Sequence, residues 1–166
     1  MKIAYAMGAG LICSVSLVAL AAPPCCEEED FRGVGQSPEG VKIQLTEVKR
    51  VNPTDIRVTW TIRNTSKKPQ VLTKGNGGST SDKYKLVSEA SLIDAVGRVR
   101  MDVAKDTRGD IIAAEHTPDI LAGGIVLGPG KSMTTWAKFY APASTSAVSV
   151  DLPGATMPWE NIAISK

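Results

Sequence analysis

Ile56-Arg57-Val58-Thr59-Trp60-Thr61-Ile62 is the clearest strand signal in the chain. Ile56, Val58, Trp60 and Ile62 alternate with Arg57, Thr59 and Thr61 without a break, and β-branched types dominate. A strand sends successive side chains to opposite faces, so this stretch predicts one buried and one wet face. Trp60, between Val58 and Ile62, is the expected centre of the core.

The same period recurs on both sides. Upstream, Val41, Ile43 and Leu45 alternate with Lys42, Gln44 and Thr46, whereas Val48 and Val51 fall out of phase. That slip predicts a bulge near Glu47. Asn52-Pro53-Thr54-Asp55 reads as a turn. Downstream, short strands are expected at 71–72, 84–87, 90–93 and 99–103. A tight hairpin at Asp94-Ala95-Val96-Gly97 should place Gly97 at positive φ. Gly75 to Ser81 reads as an exposed loop. Ile111 to His116 is expected to form a short helix ending before Pro118. Strands follow at 125–127, 133–140 and 148–152, with Ile162 and Ile164 closing the chain. Met133, Thr135, Ala137 and Phe139 should face inward, and Trp136 and Tyr140 outward. There is no long helical period and no internal repeat, so the reading is an all-β sandwich of about seven to nine short antiparallel strands.

The chain has 166 residues, enough for one ordinary domain, and 43% of them are hydrophobic. Nineteen basic and 17 acidic residues leave a formal net charge of +2, with no basic footprint for nucleic acid. Residues 1–21 read as a signal peptide. Lys2 is followed by an uncharged, mostly apolar run, and Ala19-Leu20-Ala21 fits the small-x-small cleavage rule. The run is also long enough to span a bilayer, so an uncleaved signal anchor is the alternative. Residues 22–40 read as a flexible acidic linker holding Cys25, Cys26 and Glu27-Glu28-Glu29-Asp30, with Phe31 as a candidate for docking on the domain. Residues 41–166 are the expected sandwich. No cysteine lies beyond residue 26, so the sandwich must be held by burial without an internal disulfide. Cys25 and Cys26 are candidates for anchoring or an intermolecular disulfide. A lipoprotein signal wants a small residue before the lipidated cysteine, and Ile12 and Pro24 precede Cys13 and Cys25, so lipidation is a poorer fit but stands with the uncleaved anchor as a route to the membrane.

The order Trp60-Thr61-Ile62-Arg63-Asn64-Thr65-Ser66, Leu92-Ile93-Asp94-Ala95-Val96-Gly97, Leu127-Gly128-Pro129-Gly130-Lys131-Ser132 and Phe139-Tyr140-Ala141-Pro142 resembles the small secreted bacterial immunoglobulin-like sandwiches, such as the mycobacterial immunoprotective-antigen-like domains. The resemblance spans residues 41 to 152 and rests on turn and strand signals. It implies an immunoglobulin-like antiparallel β-sandwich with an extracytoplasmic address, and it carries no catalytic residues.

Few motifs point to chemistry. Gly128-Pro129-Gly130-Lys131-Ser132 looks like part of a phosphate loop, but Ile125 stands where the first glycine is needed and Pro129 removes an amide. A hairpin turn fits better. His116 is the only histidine, no nucleophile elbow is present, and one histidine without core cysteines makes a poor zinc set. Arg108-Gly109-Asp110 matches the integrin-type tripeptide, and Asn64-Thr65-Ser66 is a glycosylation sequon. Trp136, Tyr140 and Trp159 are the protein-contact candidates.

The expected function is therefore an exported, non-enzymatic protein-binding or accessory domain of the bacterial cell envelope, periplasmic or secreted, needing no cofactor and no metal. Its partner would be another envelope or secreted protein. The alternative is an inhibitor or immunity protein that plugs a secreted enzyme with Lys74 to Asp82 or Lys105 to Asp119. A third reading is an atypical hydrolase using His116.

Overall fold

The computed structural model describes residues 28–34, 38–73, 83–94 and 96–166. Among these are ten strands: β1 (Glu28–Asp30), β2 (Val41–Asn52), β3 (Asp55–Asn64), β4 (Gln70–Val71), β5 (Ser91–Asp94), β6 (Arg100–Asp102), β7 (Val126–Leu127), β8 (Ser132–Tyr140), β9 (Ala147–Asp151) and β10 (Trp159–Ala163). The alternating stretch at 56–62 is the middle of β3, paired antiparallel with β2 on one side and β8 on the other. With β1 on the far side of β2, the first sheet runs β1-β2-β3-β8; the second runs β10-β9-β5-β6, and β4 and β7 form a small ribbon. Every pairing between named strands is antiparallel. The fold is an all-β sandwich.

The inner faces meet as the alternation requires. Ile43, Leu45, Ile56, Val58, Trp60, Ile62, Ala137 and Phe139 from the first sheet share a buried cluster with Leu92, Met101, Val148, Val150 and Trp159 from the second. Trp60 is fully buried, and neither its Nε1 nor the Ser91 hydroxyl finds a hydrogen-bond partner. The expected bulge is present. Pairing with β3 skips from Leu45 to Glu47, which turns Thr46 and Glu47 both outward and returns Val48 to the core.

Stretches of β8 and β2 that lack a strand partner in the sheet are covered by other backbone, which removes templates for unwanted strand pairing there. On β8, Ala104 N donates to Lys138 O (2.7 Å), Lys138 N to Ile112 O (3.0 Å) and Ala114 N to Trp136 O (2.9 Å). On β2, Ser165 N donates to Val48 O (2.9 Å) and Arg50 N to Ser165 O (2.8 Å).

Four expectations need correction. The linker does not extend through residue 40, because β1 pairs with β2 and Phe31, 2% exposed, is part of the core. An edge strand joins through its backbone, so its acidic side chains hid it; Asp30 points outward and pairs with Lys42 at 2.6 Å. Residues 111–116 are extended rather than helical, since Ile112 bridges Ala104 and Lys138 through its amide and carbonyl. Residues 84–87 form a turn closed by Val87 N and Ser88 N on Tyr84 O, and Leu86 and Val87 reach the core from it. In the β5–β6 connection the positive φ falls on Arg98 (51°), not Gly97. The Asp94 carboxylate accepts from Val96 N and Gly97 N, which moves the left-handed position one residue on. Residues 1–21, Cys25, Cys26 and the loop at 75–81 lie outside the described residues.

Candidate binding face

The outward side chains of the first sheet form rows set by strand register. Lys49, Arg57 and Lys138 are cross-strand partners in one row; Glu47, Thr59 and Trp136 form the next, then Gln44, Thr61 and Thr134, then Lys42, Arg63 and Ser132. Adjacent strands lie about 4.8 Å apart, so each row is a short ladder of side chains across the sheet. Threonine hydroxyls line the middle: Thr61 Oγ1 is 3.3 Å from Thr46 Oγ1 and 3.1 Å from Thr134 Oγ1.

The first row places three cations side by side, an arrangement that costs stability when nothing compensates it. The compensation is partial. Lys138 Nζ pairs with the Asp55 carboxylate, whose side chain is 7% exposed. The same carboxylate accepts from Asn52 Nδ2 (2.7 Å) and Thr54 Oγ1 (3.1 Å). The hydrogen bond from Lys138 holds the Asp55 carboxyl below the usual range against the opposing effect of burial, and the same bond raises the Lys138 ammonium. The Arg57 guanidinium lies 4.9 Å from the centroid of Trp136, and Lys138 Nζ lies 5.1 Å from that of Tyr140. Both are within range for attraction between a cation and a ring face. Among the described residues, Lys49, Arg57 and Arg63 have no carboxylate within ion-pair distance.

The structure separates the aromatic candidates. Trp136 is half-buried and Tyr140 is 50% exposed, both on this face. Trp159 does not belong with them. It is 7% exposed and pairs with the fully buried Val150, so it faces inward from β10 and serves the core.

The other motifs resolve into structural roles. His116 Nε2 lies 2.8 Å from the Thr135 hydroxyl, and its backbone amide donates to Lys83 O. Burial pushes its imidazole below the usual pKa. Thr135 is fully buried, so this pair does not present a nucleophile to a substrate. Gly128 to Lys131 is a turn with Gly130 at φ 67° and Lys131 N donating to Gly128 O. The sequon is internal: Asn64 is fully buried, and its amide nitrogen donates to Lys68 O (2.8 Å), Leu127 O (2.9 Å) and Gly128 O (3.1 Å).

A second charged region is an open cleft of about 830 Å³ between Tyr84, Arg108 and Glu115. Its charges are largely paired with one another. Glu115 accepts from Lys83 (2.9 Å) and Tyr84 (2.7 Å), and Arg108 Nε lies 3.5 Å from Asp106 and 3.7 Å from Asp110. The cation row of the sheet face is less neutralised, and it carries the aromatic rings.

No family model matches this chain, and no curated protein or solved structure matches it significantly.

The sequence signals outward cations in the alternation of Arg57 and Lys138, but it does not set them beside Lys49. That juxtaposition depends on the β2 bulge, which returns Lys49 to the outer face.

Proposed function

We propose that this chain is an exported, non-enzymatic binding domain that meets a partner protein through the outer face of the β1-β2-β3-β8 sheet. The observation that carries the reading is the pairing on β8 of Trp136 and Tyr140, each with a cation over its ring, beside the row Lys49–Arg57–Lys138. Large amphipathic rings rimmed by charge are the residues that dominate protein contacts. Export is supported by the apolar run that precedes the acidic segment, with cleavage expected after Ala21. Trp136→Ala combined with Tyr140→Ala should abolish capture of the partner by crosslinking in the native envelope and leave the β-sheet circular dichroism spectrum unchanged. Undiminished capture would remove this face from consideration.

The inhibitor reading is favoured by one feature, the loop from Lys105 to Ile111. Its ends bridge, and the Asp106 carboxylate accepts from Arg108 N (2.8 Å) and Asp110 N (2.9 Å), leaving the Arg108 side chain 81% exposed on a self-tied turn. Arg108→Ala should weaken inhibition of a secreted enzyme under this reading, and has no effect on capture under the first.

A further inference from the structure

We infer that the partner presents an acidic surface, which the row Lys49–Arg57 and the more distant Arg63 guide into register while Trp136 and Tyr140 anchor it. This rests on the outer sheet face being the contact surface and adds the chemistry of what lies against it.

The charge on the face is sorted. β1 contributes only Glu28 and Asp30 to this face, and Asp30 already holds Lys42; Glu29, opposite the buried Ile43, faces the other way and accepts from Thr156 Oγ1. Toward β3 and β8 the outward charges are Arg57, Arg63 and Lys138, and the Asp55 carboxylate is consumed by Lys138, Asn52 and Thr54. Glu47 shares no ion pair with the cations beside it. Among the described residues Glu28 and Glu47 are also outside any ion pair, so Lys49, Arg57 and Arg63 leave the face with a net positive charge, carried on β2 and β3 beside the aromatic rings of β8. Arg57 and Arg63 are six residues apart on β3, which spaces them about 20 Å along the strand. A partner engaging both needs acidic groups at two separated places. That supplies orientation as well as attraction.

Such a layout divides the work. Rim cations act on the encounter, so they set the association rate and its sensitivity to salt. Aromatic anchors that the partner covers act on the lifetime of the complex. A flat face that met a neutral partner would gain nothing from three unpaired cations, and a purely basic patch for nucleic acid would lack the acidic β1 border.

The test uses the full-length chain, a poly-L-glutamate oligomer as probe, and polygalacturonate as an anionic glycan of matched charge. Nuclear magnetic resonance should show the poly-L-glutamate perturbing the Trp136 indole N–H and the amides of Lys49, Arg57 and Arg63, with binding about tenfold weaker when salt rises from 50 to 300 mM. Lys49→Glu with Arg57→Glu should lower the affinity at least tenfold. These variants should also slow partner capture in the envelope, whereas Trp136→Ala should shorten the lifetime of the captured complex. Tighter binding of polygalacturonate, perturbation confined to other surfaces, or insensitivity to the charge reversals would overturn the inference. If Trp136→Ala with Tyr140→Ala abolishes capture but the charge reversals leave both probe binding and capture intact, the contact face stands and its acidic partner does not.

Discussion

Asn64 joins two connections at one end of the sandwich, and replacing it should cost more than its place at the end of a strand suggests. Its amide nitrogen donates to the carbonyls of Lys68, Leu127 and Gly128, and its side-chain oxygen accepts from Ser66 N (2.9 Å) and Ser66 Oγ (2.7 Å). Asn64→Ala removes all five contacts, and the bond to Leu127 O is buried. With about 1 kcal/mol net for each of two or three effective bonds, and about 1 kcal/mol or more for an orphaned buried carbonyl, the loss is about 3–4 kcal/mol. For a domain of this size that lowers the melting temperature by about 10 °C. Asn64→Asp keeps the shape but turns a carboxylate toward three carbonyl oxygens. Burial and those oxygens raise its folded-state pKa above the unfolded value of about 3.9. A group of raised folded pKa is tolerated best below the unfolded pKa, and stability is lost as pH rises through the folded pKa. Thermal unfolding of both variants from pH 4 to 8 should therefore show Asn64→Asp steadily losing stability relative to Asn64→Ala. A loss below about 1 kcal/mol for Asn64→Ala, or parallel pH profiles for the two variants, would mean that Asn64 does not hold these connections together.

Three further outcomes follow from the packing and the charges. Phe31→Ala should destabilise the domain by about 3 kcal/mol in chemical denaturation, because Phe31 is a core residue; a change under about 0.5 kcal/mol would mean residues 28–34 are dispensable. The Asp55 carboxyl is held low by Lys138, so its contribution is present above the unfolded carboxyl pKa and lost as pH falls through the folded one. Asp55→Asn should flatten the acid limb of the stability curve below about pH 4, and an unchanged limb would contradict the pairing. Burial lowers the His116 pKa, so the unfolded chain binds its proton more readily and stability falls as pH drops below about 6.5. His116→Gln should remove that slope, and hydrolytic activity that vanishes in the same variant would support the enzyme reading.

The sandwich was legible because alternation has a period of two and the core residues obey it: Ile56, Val58, Trp60 and Ile62 are all fully buried. Tertiary pairing decided what the sequence left ambiguous. Phe31 docks in the core as its apolar ring in a polar stretch allowed, but the strand before it hid behind an acidic run because β1 joins through backbone groups, which composition does not report. The stretch at 111–116 looked helical by spacing, but the open edge of β8 offered its amides and carbonyls better partners. The site was half visible. Outward placement of Trp136 and Tyr140 follows from the phase of β8, whereas Trp159 could be assigned inward only through its register with Val150. The cation row was not readable, since it joins residues 49, 57 and 138 through a bulge and two strand registers.

The most direct test of the contact face is site-specific photocrosslinking in the native envelope, comparing a photoreactive residue at exposed Thr134 on the first sheet with one at Ile93, 41% exposed on the second. A discrete crosslinked partner is expected from position 134 and none from position 93. A partner captured from position 93 with none from 134 would contradict it.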